Sequence, residues 1–185
     1  MIVETILAVV TTFVAAFWIM VPAYVANAGA VPFGGGTPVD FGKCAKDGRR
    51  YLGDGKTWRG LIGGIVVGIL FGLLQIFLAQ TFHWDWLPEQ TIVTITALAA
   101  GALLGDMLKS FFKRRAGKDR GEKWPIADMY DLVAGSLVLL AVFAWPWIAA
   151  NMTIWIFIAI LIWTPLLHRG ANIIGSLIGI KQVPW

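Results

Sequence analysis

Apolar residues run along this chain in five long blocks, at about 5–28, 61–80, 91–108, 132–150 and 152–167, separated by stretches where charged residues, glycine and proline take over. A helix of ~17 to 25 mostly apolar residues crosses a hydrocarbon layer about 30 Å thick, so each block is long enough, or nearly so, to span it. The pattern predicts an all-α integral membrane protein, a single domain over residues 1–185 with five transmembrane helices. The first block is too long, and lacks the basic start, for a cleaved signal peptide, and is expected to be retained. A short turn at 84–88 joins blocks two and three. Its Trp84 and Trp86, with Trp145 and Trp147 at the outer end of block four, suit interfacial aromatic positions.

Composition agrees, since 58% of the residues are apolar, well outside the soluble range. Charge adds direction. All 15 Lys and Arg residues fall in two long polar segments, about 29–60 and 109–131 with its flanks, or in the tail after the fifth block. The opposite side carries only Glu4, His83, Asp85 and Glu89. Because Lys and Arg favour the cytoplasmic side, two long cytoplasmic loops, a cytoplasmic C-terminus and an outer N-terminus in the cell membrane are expected. The net charge of +4 is normal for a cytoplasmic surface beside anionic headgroups, and either topology alone or a site within the loops would produce it. No basic motif interleaved with aromatics points to nucleic acid. A single cysteine, Cys44, excludes an internal disulfide and any multi-cysteine metal site.

The loops are not simple basic runs. "GGGTPVDFGKCAKDGRRYLGDGKTWRG" and "GDMLKSFFKRRAGKDRGEKWPIADMYD" both mix glycines, bases and aspartates, the composition expected where phosphate meets a divalent cation. Gly55-Lys56-Thr57 resembles the end of a nucleotide-binding loop, but a P-loop needs a glycine where Arg50 stands. What survives is a turn at Gly53 and Gly55, a flexible cation at Lys56, a helix cap at Thr57 and an anion-favouring helix start, with Arg59 one turn in. A capped helix with snorkelling side chains explains the same residues equally well. Gly60, Gly64, Gly68 and Gly72 repeat every four residues, and Gly101 and Gly105 give a shorter version. Both are read as close packing surfaces.

Acids at membrane depth carry more chemistry. Asp106 closes block three, and Asp128 and Asp131 stand three apart after Pro125, on one side of a helix. Carboxylates near lipid are costly without pairing or function. Together they suit a hard cation such as Mg²⁺. The alternative is pairing with Lys109, Lys113, Arg114 or Arg115, or capping by Asp128. The apolar stretch 171–180 is too short to span; it is expected to lie in the interface or along a lipid chain, with Arg169 and Asn172 near the headgroup, or simply to pack as a tail.

Joined, the two loops resemble a family. "GKTWRGLIGG" looks like a stretch of the phosphatidate cytidylyltransferases, and "GDMLKSFFKRRAGKD", then a Pro and Asp-x-x-Asp opening a helix, resembles their signature in the same order. "PVDFGK", "DGRRYLGDGKTWRG" and the closing "VPW" resemble more closely their shorter archaeal relatives, the CDP-archaeol synthases. The bacterial enzymes carry a His-Gly-Gly before the first Asp of the pair, where this chain has Pro125-Ile126-Ala127-Asp128, and Met129 stands where Arg or Gln is usual.

The resemblance implies a CTP-dependent cytidylyltransferase that gives CDP-archaeol and pyrophosphate from an isoprenoid ether lipid phosphate, di-O-geranylgeranylglyceryl phosphate, at the cytoplasmic face. It further implies Mg²⁺ on Asp106, Asp128 and Asp131, assisted by Ser110. Lys56, Thr57, Lys113, Arg114 and Arg115 then serve the triphosphate or the lipid phosphate, with Gly55 and Arg59 beside them, and Asp40 and Asp54 the ribose or base. The nucleophile is already an anion, so no strong general base is needed. A CDP-alcohol phosphotransferase would continue Asp131 with a Gly-x-x-Ala-Arg pattern, where Leu132, Val133 and Ala134 stand. A glycerophosphate acyltransferase would use glycine-rich phosphate loops without CTP. A transporter or channel subunit would carry its charges through the bilayer, whereas here they cluster on one side.

Overall fold

The computed structural model describes residues 1–119 and 121–177, and those residues form an all-α bundle. The helices are α1 (Ile2–Gly29), α2 (Trp58–Phe82), α3 (Ile92–Arg115), α4 (Pro125–Phe143), α5 (Trp145–Asn151) and α6 (Ile154–Leu177). Five of them are long and apolar enough to cross a membrane, while α5 has seven residues.

Helix ends follow local chemistry. Thr57 caps α2 by accepting from the Gly60 N–H at 3.2 Å, and Thr91 and Thr94 form a reciprocal capping pair that opens α3. Helix α3 runs to Arg115, seven residues past the expected end of its apolar block, and shortens the second polar loop accordingly. Its last turn carries Lys113, Arg114 and Arg115, favourable beside the negative end of the helix. The expected fourth span at 132–150 is replaced by a helix starting at Pro125, which is well suited to a first turn. It breaks at Ala144, two residues before Pro146, and α5 stands apart. The fifth span does not end near 167. It continues through Pro165 to Leu177, taking in 171–177 as helix. The side chain of Asn172, residues 178–180 and the closing Val183-Pro184-Trp185 lie outside the described residues.

Close approach of backbones sets the bundle's shape. The glycine stripe of α2 faces α1 and α3: a Cβ at Gly64 would lie 2.6 Å from the Ala26 carbonyl oxygen, and one at Gly68 2.7 Å from that of Pro22. On α3 a Cβ at Gly101 would lie 2.6 Å from the Gly135 carbonyl oxygen, and Gly105 sits equally tight against the backbone of Asp131. Small residues thus let α3 and α4 pack with backbones in contact, which brings Asp106 beside Asp131. Ser136 locks this seam by donating to the Leu98 carbonyl oxygen at 2.9 Å. A mostly aliphatic core including Ala16, Ile19, Leu98, Leu132, Leu140 and Ile160 fills the space between α1, α3, α4 and α6.

The two polar loops lie at one end of the bundle, joined by contacts such as Arg49 to Asp119 and Arg115 to Asp47. At the other end the α2–α3 turn is tied down by Trp18, which donates to Pro88, and by Trp147, which donates to Glu89.

Candidate active site

The first polar loop folds back on itself before α2 begins. Val39 N–H donates to Lys56 and Trp58 N–H to Thr37, closing the base of the loop. Asp40 sits beneath it, almost fully buried, and accepts from the N–H groups of Gly42, Leu52 and Gly53 and from the Arg50 guanidinium. Arg50 continues to Asp54 at 2.6 Å. Burial opposes ionisation of Asp40, but the Arg50 guanidinium and the three N–H donors outweigh it and hold the carboxyl well below the usual carboxylate range.

A depressed folded-state pKa contributes stability that is present above the unfolded value, about 3.9, and is lost only as pH falls through the lower folded value. Proteolysis at Arg49 and Arg50 is therefore expected to stay slow from neutrality down to about pH 4. Asp40→Asn should expose these bonds at neutral pH, and a wild-type loop that opened near pH 5 would contradict this account.

The floor of the site comes from α3 and α4. Asp106, Lys109, Ser110 and Lys113 recur at i, i+3, i+4 and i+7, so α3 presents them on one face. Lys109 Nζ lies 3.0 Å from Asp106, 3.3 Å from Asp128 and 2.8 Å from Asp131. Lys56 reaches down from the loop to pair with Asp106. Lys113, buried, donates to both Asp128 oxygens at 3.2 Å. Asp128, in the first turn of α4, also accepts from the N–H of Trp124, which precedes the helix, while Asp131 accepts from the Leu132 N–H. Three carboxylates from two helices thus meet three ammonium groups. Among the described residues no three acidic, imidazole or thiol side chains form a ready metal cage, and the Lys109 ammonium stands where the three acids meet. The donors themselves, all hard carboxylate oxygens directed at one point, suit a hard divalent cation.

Above this floor opens a polar cleft of roughly 740 Å³, within the size range of small-molecule sites. Its walls include Arg49, Arg50, Lys56, Lys109, Lys113 and Arg114, as well as Gly55, Asp54 and Ser110. Ser110 Oγ donates to the Asp106 carbonyl oxygen, leaving the hydroxyl lone pairs as acceptors. Beside the floor, α3 and α4 form a groove of about 480 Å³ whose walls, including Leu104, Leu108, Phe112, Ile126, Ala134 and Val138, are almost wholly apolar. Lys109 lines both cavities, and Asp131 lines the groove.

Several sequence candidates sit outside the cleft. Arg115 lies over the Tyr51 and Phe111 rings and bonds Asp47 and the carbonyl oxygens of Arg49 and Arg50, pinning the first loop to α3. Thr57 is buried as a helix cap, and Arg59 is exposed with its stem against Gly36. Asp40 is engaged inside its loop. The converse omission is Lys109, weighed from sequence only as a pairing partner, and Arg50, read only as the residue that breaks a P-loop. The signal for Lys109 was available in the i, i+3, i+4, i+7 spacing once α3 is carried through the charged residues. No sequence period announces the groove, which two helices make together.

The chain is similar throughout to known proteins. Residues 6–185 match the family model described as CarS-like, CDP-archaeol synthase. A CDP-archaeol synthase of Methanocorpusculum labreanum is 65% identical across 90% of this chain and all of that protein. One of Methanoculleus marisnigri is 55% identical with the same coverage. Among solved structures, one described as an intramembrane enzyme for archaeal membrane lipids biosynthesis superposes with a TM-score of 0.70 at 38% identity, over 85% of this chain and 92% of that one.

Proposed function

The chain belongs to the CDP-archaeol synthase family, and from that premise we propose that CTP and the lipid phosphate are joined at the lysine–aspartate floor between α3 and α4. The protein transfers CMP from CTP to an archaeal lipid phosphate in membrane lipid biosynthesis. A phosphate oxygen of the lipid forms a bond to the α-phosphorus of CTP. The bond from that phosphorus to the β-phosphate bridge breaks, and pyrophosphate departs with the electron pair, leaving the CDP-lipid.

The observation that carries this reading is the double exposure of Lys109, to a basic cleft on one side and, on the other, to an apolar groove that Asp131 also lines. A polyanionic nucleotide fits the first and isoprenoid ether chains the second. In this reading Arg49, Arg50, Lys56, Lys113 and Arg114 gather the triphosphate and screen its repulsion from the incoming lipid phosphate. Arg115 holds the loop that supplies three of them, Arg49, Arg50 and Lys56. Asp106, Asp128 and Asp131 would hold a divalent cation, for which we propose Mg²⁺. When bound, such an ion neutralises phosphate charge and stabilises the departing oxygens. The concentration of Lys and Arg in the loops around the cleft supports a cytoplasmic orientation in the cell membrane, the side on which CTP is available.

The test is CDP-lipid formation by the purified protein from labelled CTP, Mg²⁺ and lipid phosphate. Ala134→Phe should fill the groove without touching the cleft. The KM for lipid phosphate is expected to rise about tenfold, equivalent to ~1.4 kcal/mol of lost contact, while the KM for CTP stays unchanged. An unchanged lipid KM would remove the chains from this groove.

A further inference from the structure

We propose that Lys109 is a built-in counter-cation that holds the three carboxylates together before the divalent ion arrives and yields its position to that ion. The inference rests on the reading of Asp106, Asp128 and Asp131 as metal ligands. Its own basis is that one ammonium lies within 3.3 Å of an oxygen from each of the three acids.

Three carboxylates converging on one point repel strongly unless a cation stands between them. Lys56 and Lys113 each engage a single acid, Asp106 and Asp128 respectively, whereas Lys109 alone among the described residues touches all three. The centre, three carboxylates and three ammoniums, is neutral as it stands. An ammonium on a four-carbon stem is a mobile point charge, and Lys109 also lines the polar cleft, so it has somewhere to go. If a dication takes the central point and Lys109 swings into the cleft, the net charge facing the nucleotide rises from zero to about two. Metal and nucleotide then bind cooperatively: the ion displaces the lysine, and the triphosphate receives it. Arginine in the same place would behave differently, since its rigid fork grips carboxylates in pairs and does not leave as readily.

The experiment is Mn²⁺ binding by the full-length protein in detergent, read as loss of the free-ion signal in electron paramagnetic resonance, with and without CTP and with no lipid acceptor. Lys109→Met is expected to bind Mn²⁺ about tenfold more tightly than wild type without CTP, and to show less enhancement when CTP is added. Lys109→Arg keeps the charge and should bind Mn²⁺ more weakly than wild type, which decides the matter if the methionine variant does not fold. Asp131→Asn reports on the underlying site. If Asp131→Asn weakens Mn²⁺ binding while both Lys109 variants match wild type, the displacement idea fails and the metal assignment stands. If Asp131→Asn leaves Mn²⁺ affinity unchanged, the metal assignment fails and the role of Lys109 fails with it.

Discussion

Asp131→Asn is expected to lower kcat for CDP-lipid formation by about 10²- to 10³-fold while leaving the protein folded. The side chain is nearly buried, between Lys109 and the Leu132 N–H, at the mouth of the apolar groove. Asparagine has nearly the same shape, but Lys109 and the Leu132 N–H reach different oxygens of the carboxylate, so its one oxygen keeps one of these bonds and the amide group replaces the other acceptor. What it removes is one negative charge from a place where charge is costly to bury. A carboxylate retained there for stability alone would be a poor device, because burying an ion costs several kcal/mol before any pairing is recovered. Lys109 keeps Asp106 and Asp128 as partners, so the variant should stay folded, with a melting temperature lowered by several degrees. Full turnover in this variant would show that the charge at 131 has no part in the reaction. A collapse in stability with little loss of specific activity would make Asp131 a structural residue.

The second large effect is expected from a residue with no side chain, Gly105, which lies next to Asp106 and against the backbone of Asp131. A methyl group added at Gly105 would collide with the backbone carbonyl of Asp131, and the facing Gly135 leaves no slack, since its own Cβ position is filled by the backbone of Gly101 and Gly105. Backbone cannot rotate aside as a side chain can, so Gly105→Ala must push α3 and α4 apart. Overpacking of this kind destabilises by about 1 to 3 kcal/mol. The larger consequence is catalytic: Asp106 and Lys109 ride on one helix and Asp128 and Asp131 on the other, and a displacement of about 1 Å in a reacting constellation can lower the rate about 100-fold. Gly170→Ala meets nothing within 4 Å and serves as a control expected to keep activity. Gly105→Ala with wild-type kcat would mean that the spacing of α3 and α4 does not set the geometry of the site.

These outcomes separate two kinds of information. The class of the protein was legible in one dimension, because lipid thickness fixes how long an apolar run must be and a bare backbone in lipid must form helix. Five runs and five long helices agree. The ends of the helices were less legible. Hydropathy marks the limit of the apolar layer, but hydrogen bonding along α3 does not stop there, so the helix carries Lys109, Ser110 and Lys113 outward on the same face as Asp106. At the far side of α4 the opposite holds: apolar residues continue, and Pro146 breaks the helix that hydropathy alone would extend.

By itself, the sequence determined the membrane class, the clustering of charge at one end, the glycine spacings and the identity of the acids, since each depends on composition or on spacing within a single helix. Only the tertiary structure decided which ammonium stands among those acids, that Arg115 lies over the stacked pair of Tyr51 and Phe111, that Asp40 fastens its own loop, and that an apolar groove meets the basic cleft at Lys109. Those features arise between elements distant in the chain, from the approach of α3 to α4 and the folding of the first loop over both. A linear pattern records what each residue can do, whereas which partner it meets depends on backbone contacts that small residues permit from either side.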